Sequence, residues 1–160
     1  MSVTLPRFVA LAALSLTLGL TTAAHAGERI TRFHGADGGA VVHGRVTHSD
    51  GAGNRESFRG GAFRGTEGRQ GMRASHLTRN ADGSAERTGG FAASGPNGSI
   101  RSQGSVTRST DGDINGQRTT TGTGSQGNTY QGSTTYSRSD GVSHTATCSD
   151  SAGTPIPCSR

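Results

Sequence analysis

The sequence has few of the residues that build a hydrophobic core. The 134 residues after residue 26 contain one Leu, four Ile, five Val and four Phe, about a tenth of the segment, and Trp is absent from the whole chain. Below roughly a fifth, a chain buries too little apolar surface to offset its conformational entropy. This composition excludes a conventional packed domain with an enclosed active site.

Lysine is absent as well, so arginine carries all the permanent positive charge. The chain after residue 26 has 15 Arg against 11 Asp and Glu, a modest excess of four. The planar guanidinium suits carboxylates and phosphates and stacks on rings, which favours an anionic polymer as partner. Biased codon usage in a GC-rich genome accounts for the missing lysine equally well.

Residues 1–26 have the pattern of a secretion signal. Arg7 gives a positive start, an apolar run covers residues 8–20, and Ala-His-Ala at residues 24–26 is a cleavage site before Gly27. The run is too short to cross a bilayer, so we expect a mature chain without an integral membrane segment. The predicted location is the periplasm or the extracellular space.

Cysteine occurs only twice, at Cys148 and Cys158. In an oxidising compartment the pair predicts one disulfide that closes the C-terminal end, residues 149–160. The alternative is two free thiols or a redox pair, although the spacing is not C-x-x-C.

One phrase recurs through the second half of the chain. It reads SHLTRNADG from Ser75, GSVTRSTDG from Gly104 and TTYSRSDG from Thr134, with a period of 29 residues between Asp82, Asp111 and Asp140. A fixed period of this size predicts a tandem array of one supersecondary unit. We therefore predict hairpin repeats over residues 74–148, preceded by a looser, partly disordered Arg/Phe/Gly-rich segment over residues 27–73.

Turn signals divide the chain about every 15 residues. They end in glycine at Gly51, Gly68, Gly83, Gly98, Gly112, Gly127 and Gly141, and most begin with Asp or Asn, as type I′ hairpin turns do. Segments with strand formers at alternate positions lie between them. The sequence thus predicts an all-β antiparallel meander of hairpins with a marginal core. Glycines at 60–61, 89–90, 104 and 132 predict a bulge or kink within the long strands.

A Phe-Arg-Gly doublet between residues 58 and 65 is the clearest binding feature. Arginine and aromatic side chains on a glycine-rich backbone pair with phosphates and stack on bases. The candidate residues for an anionic polymer are Arg55, Phe58, Arg59, Phe63 and Arg64. Extracellular DNA, lipopolysaccharide and acidic polysaccharide are the expected targets, with the affinity concentrated in residues 27–73. A solvated, flexible arm is the alternative.

No motif predicts catalysis, a metal or a cofactor. Residues 111–116, DGDING, match the first half of a calcium loop, but the twelfth position is Gly122, where a carboxylate is needed, so a polar hairpin turn is the alternative. Residues 122–127 spell G-x-G-x-x-G without a helix to follow. The histidines lack ligand spacing and there is no G-x-S-x-G, so we predict a protein that is not an enzyme.

Three phrases resemble Gly, Thr and Arg-rich exported repeat proteins of Gram-negative bacteria. They are GPNGS from Gly95, QGSTTYSRSDGVSHTATC from Gln131 and TPIPC from Thr154. The resemblance implies secretion and β-repeats and no site. The function expected is a non-catalytic surface or matrix protein that binds anionic polymer. The alternatives are a self-assembling, fibre-like subunit that associates through strand edges, and a small exported enzyme.

Overall fold

The prediction of an all-β meander is confirmed. A computed structural model describes residues 27–36 and 38–158, and the predicted secretion signal lies outside them. Ten strands follow in chain order: β1 (Gly27–His34), β2 (Ala40–Ser49), β3 (Arg55–Arg64), β4 (Gln70–Arg79), β5 (Ala85–Gly95), β6 (Gly98–Arg108), β7 (Ile114–Gly124), β8 (Thr129–Ser137), β9 (Gly141–Ser149) and β10 (Pro155–Ile156). The described residues contain no helix able to span a membrane.

Each strand pairs antiparallel with the next in sequence, which makes one open sheet with β1 and β10 at its edges. Two strands and their turns make up the 29-residue repeat. The predicted boundary at residue 73 falls inside β4, and β1 to β3 belong to the same sheet as the repeats.

The turns lie where the sequence predicts them. All seven glycines that end the turn signals have positive φ. Only one turn has the predicted type I′ form, because Glu67, with φ 57°, is the single non-glycine residue with positive φ in the described chain. At Gly83 the backbone N–H donates to Asn80 O at 3.1 Å, the pattern of a type I turn followed by a left-handed glycine. The sequence therefore locates the turns better than it specifies their type.

The predicted bulges are wrong. Pairing runs through Gly60, Gly61, Gly89 and Gly104 without an extra residue in either strand. Some of these glycines instead permit a close approach of strands, since a Cβ at Gly89 would lie 3.0 Å from Ala74 O. The uninterrupted register fixes the orientation of every strand residue.

The sheet has no hydrophobic core among the described residues. Its only buried polar side chains are Ser57 and Ser102, which are 3% and 2% exposed. Ser102 Oγ donates to Thr119 O at 3.1 Å or shares a 2.8 Å hydrogen bond with Thr120 Oγ1. Backbone hydrogen bonds and cross-strand side-chain pairs therefore hold this single layer together.

The predicted disulfide is confirmed and closes one edge of the sheet. Cys148 and Cys158 are bonded, with their Cα atoms 5.3 Å apart. The loop between them brings Pro155 and Ile156 against Ser149 and Cys148 as β10. The edge strand on this side, β10, has only two residues, whereas the edge strand on the other side, β1, has eight.

Candidate functional site

The sheet has two faces with different chemistry. Directly paired residues point to the same side, and so does every second residue along a strand. Because the register is continuous from β1 to β9, each strand residue can be assigned to one face. We call the side that carries Arg29, Arg45 and Arg59 the arginine face, and the other side the opposite face.

The arginine face has positive charge and no carboxylate. Nine exposed arginines lie on it: Arg29, Arg45, Arg55, Arg59, Arg73, Arg79, Arg87, Arg108 and Arg118. The three strand glutamates, Glu28, Glu56 and Glu86, all lie on the opposite face together with Arg32, Arg64 and Arg101. The other described acidic residues are in turns. One face is thus strongly basic, and the other has as many strand carboxylates as arginines.

Several arginines of this face are direct neighbours. Arg45 pairs with Arg29 on one side and Arg59 on the other, and Arg55 pairs with Arg79. Cβ atoms of such opposed residues lie about 5 Å apart, and like charges there are destabilising. The ion pair Arg69–Glu67 and the 3.8 Å contact between His76 Nε2 and the Glu56 carboxylate, found in the described chain, involve none of the nine. The positive potential of the face is therefore uncompensated by partners within the sheet.

The local contacts of these arginines leave donors free for a ligand. Arg45 Nε donates to Thr47 Oγ1 at 3.2 Å, and the Arg118 guanidinium lies 5.7 Å from the centre of the Phe91 ring. A guanidinium has five N–H donors, and these contacts engage few of them. Both side chains remain exposed.

An apolar row borders the arginines at one end of the strands. Phe33, Val41 and Phe63 are paired in register there, and Ile100 and Tyr130 continue the row. The Phe63 ring covers its cross-strand neighbour Gly71, where a Cβ would lie only 2.9 Å from Phe63 Cζ. Aromatic groups thus share the arginine face, as the stacking argument from the sequence requires.

The structure separates the five residues singled out from the sequence. Arg55, Arg59 and Phe63 lie on the arginine face, whereas Phe58 and Arg64 lie on the opposite one. Phe58 instead stacks on His76, with ring centres 4.1 Å apart. The division follows from parity, since odd and even positions of β3 point to different sides.

Four members of the arginine face were missed because they belong to the repeats: Arg79, Arg87, Arg108 and Arg118. Charge counted by segment hides them, because the repeats are nearly neutral in sum. The turn glycines fix which residues of successive strands are paired. Counting residues outward from each turn would therefore have shown from the sequence which arginines share a face. The arginine face therefore extends over β1 to β7 rather than over residues 27–73 alone.

The other motifs do not converge on a reactive centre in the described residues. Asp111 lies in a turn, and the N–H of Asp113 donates to Ser109 Oγ at 3.1 Å. No group of three His, Cys, Asp or Glu side chains there is placed to hold a metal ion. A shallow hollow of about 360 Å³ over β5 to β7 is lined by Thr88, Gly89, Gln103, Gly104, Ser105, Gln117, Arg118 and Thr119. Its lining includes no carboxylate or histidine.

Comparison of the chain with protein-family models, with curated proteins and with solved structures gives no match. The argument for a function therefore depends on the residues of this chain.

Proposed function

We propose that this chain is an exported, non-catalytic β-repeat protein that binds an anionic polymer through the arginine face. One observation carries the proposal: nine exposed arginines share a face without a carboxylate. Bound phosphate or carboxylate groups would relieve the repulsion between opposed arginines such as Arg45 and Arg59. Binding and relief of repulsion would then have the same physical origin.

The extent of the arginine face favours a polymer over a small anion. Strands lie about 4.8 Å apart, so seven strands cover about 29 Å. A polymer that crosses them meets several guanidinium groups in turn and releases a condensed counterion at each phosphate neutralised. Extracellular DNA, the phosphates of lipopolysaccharide and acidic polysaccharide all present such charge.

Export is part of the proposal. The predicted signal in residues 1–26 supports it, and the Cys148–Cys158 disulfide is typical of oxidising compartments. Whether the protein acts in the periplasm or outside the cell is decided by fractionation of the host, with Gly27 as the expected N-terminus.

The test compares two triple variants of equal charge. Changing Arg29, Arg45 and Arg59 to Gln removes three charges from the arginine face, and changing Arg69, Arg101 and Arg138 to Gln removes three from two turns and from β6 on the opposite face. Binding to duplex DNA and to a polyuronate is titrated at several salt concentrations. We expect the first variant to lose affinity at least about tenfold and the salt slope on DNA to fall by about 2 to 3.

The second variant should bind as the unchanged chain does, apart from a small loss from its lower net charge. Equal losses in the two variants would show that net charge, and not the arginine face, determines binding. Equal affinity of all three proteins would overturn the proposal. Loss on DNA alone, or on the polyuronate alone, would identify the class of polymer.

Edge-to-edge assembly into a fibre is the second candidate. It is favoured by β1, an edge strand whose eight residues are all exposed and which contains no Pro, Lys or bulge. Strand pairing depends little on ionic strength, whereas arginine-mediated binding weakens steeply with salt. Fibre growth in electron micrographs that persists in high salt without any polymer would support this candidate.

A further inference from the structure

The opposite face is divided into an apolar half and a polar half. On β1 to β5 it carries exposed apolar side chains, among them Met72 at 67%, Ile30 at 55% and Phe58 at 50% exposure. On β7 to β9 it carries only Ser, Thr, Gln, Asn and Gly. An apolar surface of this kind, bordered by charged residues, is the usual mark of a protein interface.

The charges of β1 and β3 in the apolar half are arranged symmetrically along the strands, whereas Glu86 on β5 has Ser94 at the matching position. On β3 the opposite face reads Glu56, Phe58, Gly60, Ala62, Arg64, with acid and base equally far from Gly60. On β1 it reads Glu28, Ile30, Arg32, His34, with Glu28 and Arg32 equally far from Ile30. Ile30, Gly44 and Gly60 are in register on adjacent strands, so both arrangements have the same centre line.

We propose that a second copy of this chain covers the apolar half, with the two sheets face to face about a two-fold axis along that centre line. A rotation about this axis exchanges the two ends of every strand. Glu56 then faces Arg64 of the second copy, and Glu28 faces Arg32 of the second copy. Each charged residue of β1 and β3 on this face thus meets an opposite charge.

The apolar residues also fit this arrangement. On β2 the rotation places Val46 over Val42, and on β3 it places Phe58 over Ala62, a large residue over a small one. The centre line itself carries small residues at Gly44, Gly60 and Ala74, so the backbones can approach closely there. Packed sheets cross at about 30°, which displaces strand ends by about one strand spacing, a distance that an arginine side chain can span.

The surface is large enough for a stable dimer. Five strands about 4.8 Å apart, over nine residues of about 3.4 Å rise each, cover about 730 Å² on each copy. Together the two copies bury about 1,500 Å², within the range of specific interfaces. Packing two arginine faces together would instead bring 18 guanidinium groups together without a strand carboxylate.

This dimer goes beyond the proposed function and does not depend on it. It leaves both arginine faces on the outside, so one dimer can bind two polymer chains or two parts of one chain. Two sites in one particle increase avidity where geometry lets both engage. Cross-linking of polymer is therefore the expected consequence.

The test exchanges the charges of β3 and uses the disulfide-bonded chain in analytical ultracentrifugation over a concentration series. Glu56→Arg places arginine against Arg64 of the second copy, and Arg64→Glu places glutamate against Glu56 of the second copy. Each single change should weaken dimerisation at least about tenfold, because opposed like charges replace attractive pairs. The double variant Glu56→Arg with Arg64→Glu should regain most of the loss.

A second pair of variants tests the centre line. Gly60 has no positive φ, and a Cβ there meets only Arg73 O at 3.7 Å, so Gly60→Glu fits the sheet yet brings two carboxylates together on the axis. Gly122 lies on the arginine face with similar room, its nearest neighbour Ser99 O at 3.4 Å, and provides the control Gly122→Glu. Of these two glycine variants, we expect Gly60→Glu to give monomers and Gly122→Glu to remain a dimer.

A monomer at all concentrations would overturn the proposal, and so would a polymer without a defined size, which indicates edge pairing through β1. A dimer that the single charge changes leave intact, or that the double variant fails to restore, would overturn this two-fold arrangement. Restored dimerisation in the double variant supports it, because a general loss of folding does not predict rescue. A net-charge effect is distinguished by Arg64→Glu, which lowers the positive net charge and on that ground alone would not weaken the dimer.

Discussion

The two faces of the sheet share one backbone and differ in almost everything else. The arginine face carries nine arginines without a carboxylate, whereas the opposite face carries three arginines, three glutamates and an apolar half. The residues alternate along each strand, so neighbours in sequence such as Arg59 and Gly60 belong to different surfaces. The comparison teaches that composition by segment is a poor guide to a single-layer sheet, whose units of function are its faces.

The difference also bears on stability. Neither face is buried, so neither provides the hydrophobic stabilisation of an ordinary domain. The arginine face adds repulsion between opposed side chains, while the opposite face offers an area that a second copy can cover. Ligand and partner would therefore each stabilise the sheet from a different side.

The largest expected effect is stabilisation by a ligand of the arginine face. At a free polymer concentration of a hundred times Kd, the free energy of unfolding should rise by about 2.7 kcal/mol. At the same concentration the Arg29, Arg45 and Arg59 to Gln variant, with its affinity at least about tenfold lower, should gain at most about 1.4 kcal/mol, and the Arg69, Arg101 and Arg138 to Gln variant nearly the full amount. Urea denaturation with and without polymer measures this. A similar gain in both variants would contradict the distinction between the faces.

The next effect concerns a buried hydroxyl on the arginine face. Ser102 lies at 2% exposure and hydrogen-bonds with Thr119 O or Thr120 Oγ1, so Ser102→Ala should lower the free energy of unfolding by about 1 to 1.5 kcal/mol. Ser99 is an exposed serine of the same strand on the opposite face, and Ser99→Ala should change the free energy of unfolding by less than about 0.5 kcal/mol. Equal changes in the two variants, measured by urea denaturation, would mean that Ser102 is not a stabilising contact.

Much of the fold could be predicted from sequence because the turns are explicit. The glycines at Gly83, Gly112 and Gly141 mark the repeat, and each has positive φ in the structure. Strand-forming residues at alternate positions between these turns then predict an antiparallel meander. Turn type was harder to predict, because it depends on the φ of the residue before each turn glycine, and among the described residues this φ is positive only at Glu67.

The candidate site was predicted only in part. The Phe-Arg-Gly doublet and the nearby Arg55 led to Arg55, Arg59 and Phe63, which share the arginine face, yet grouped Phe58 and Arg64 with them, which lie on the opposite face. Local sequence shows which residues are close along the chain, whereas a face is assembled from residues about 15 or 29 positions apart. Only pairing between strands, as between Arg45 and Arg59, reveals that the charges are adjacent.

A smaller effect follows from the opposed arginines. Arg45 has like charges on both sides, so Arg45→Gln should raise the free energy of unfolding of the polymer-free chain by about 0.4 to 1 kcal/mol. Arg32 pairs with Val42 and has no such neighbour, so Arg32→Gln should give no gain. Added salt should stabilise the unchanged chain and reduce the advantage of Arg45→Gln, because screening weakens the repulsion. Destabilisation by Arg45→Gln would show that its contact with Thr47 outweighs the repulsion.

The smallest effect is expected from the turns, which carry carboxylates that the arginine face lacks. Hydrogen bonds from the Ser84 hydroxyl and backbone N–H lower the pKa of Asp82 below 3.8, and those from the Asn54 side chain and the Ala52 N–H lower the pKa of Asp50. A carboxyl whose pKa is lower in the folded state stabilises the fold above its unfolded pKa, and this contribution disappears as the pH falls through the folded value. The double variant Asp50→Asn with Asp82→Asn should therefore lose less stability than the unchanged chain between about pH 4 and pH 2. Thermal unfolding over that range measures the loss of stability, and parallel curves for the two proteins would show that these turns contribute nothing to the acid response.

Binding of a sulfated polymer, which stays ionised, should not weaken between about pH 7 and pH 5, since the guanidinium groups remain charged and no strand carboxylate lies among them.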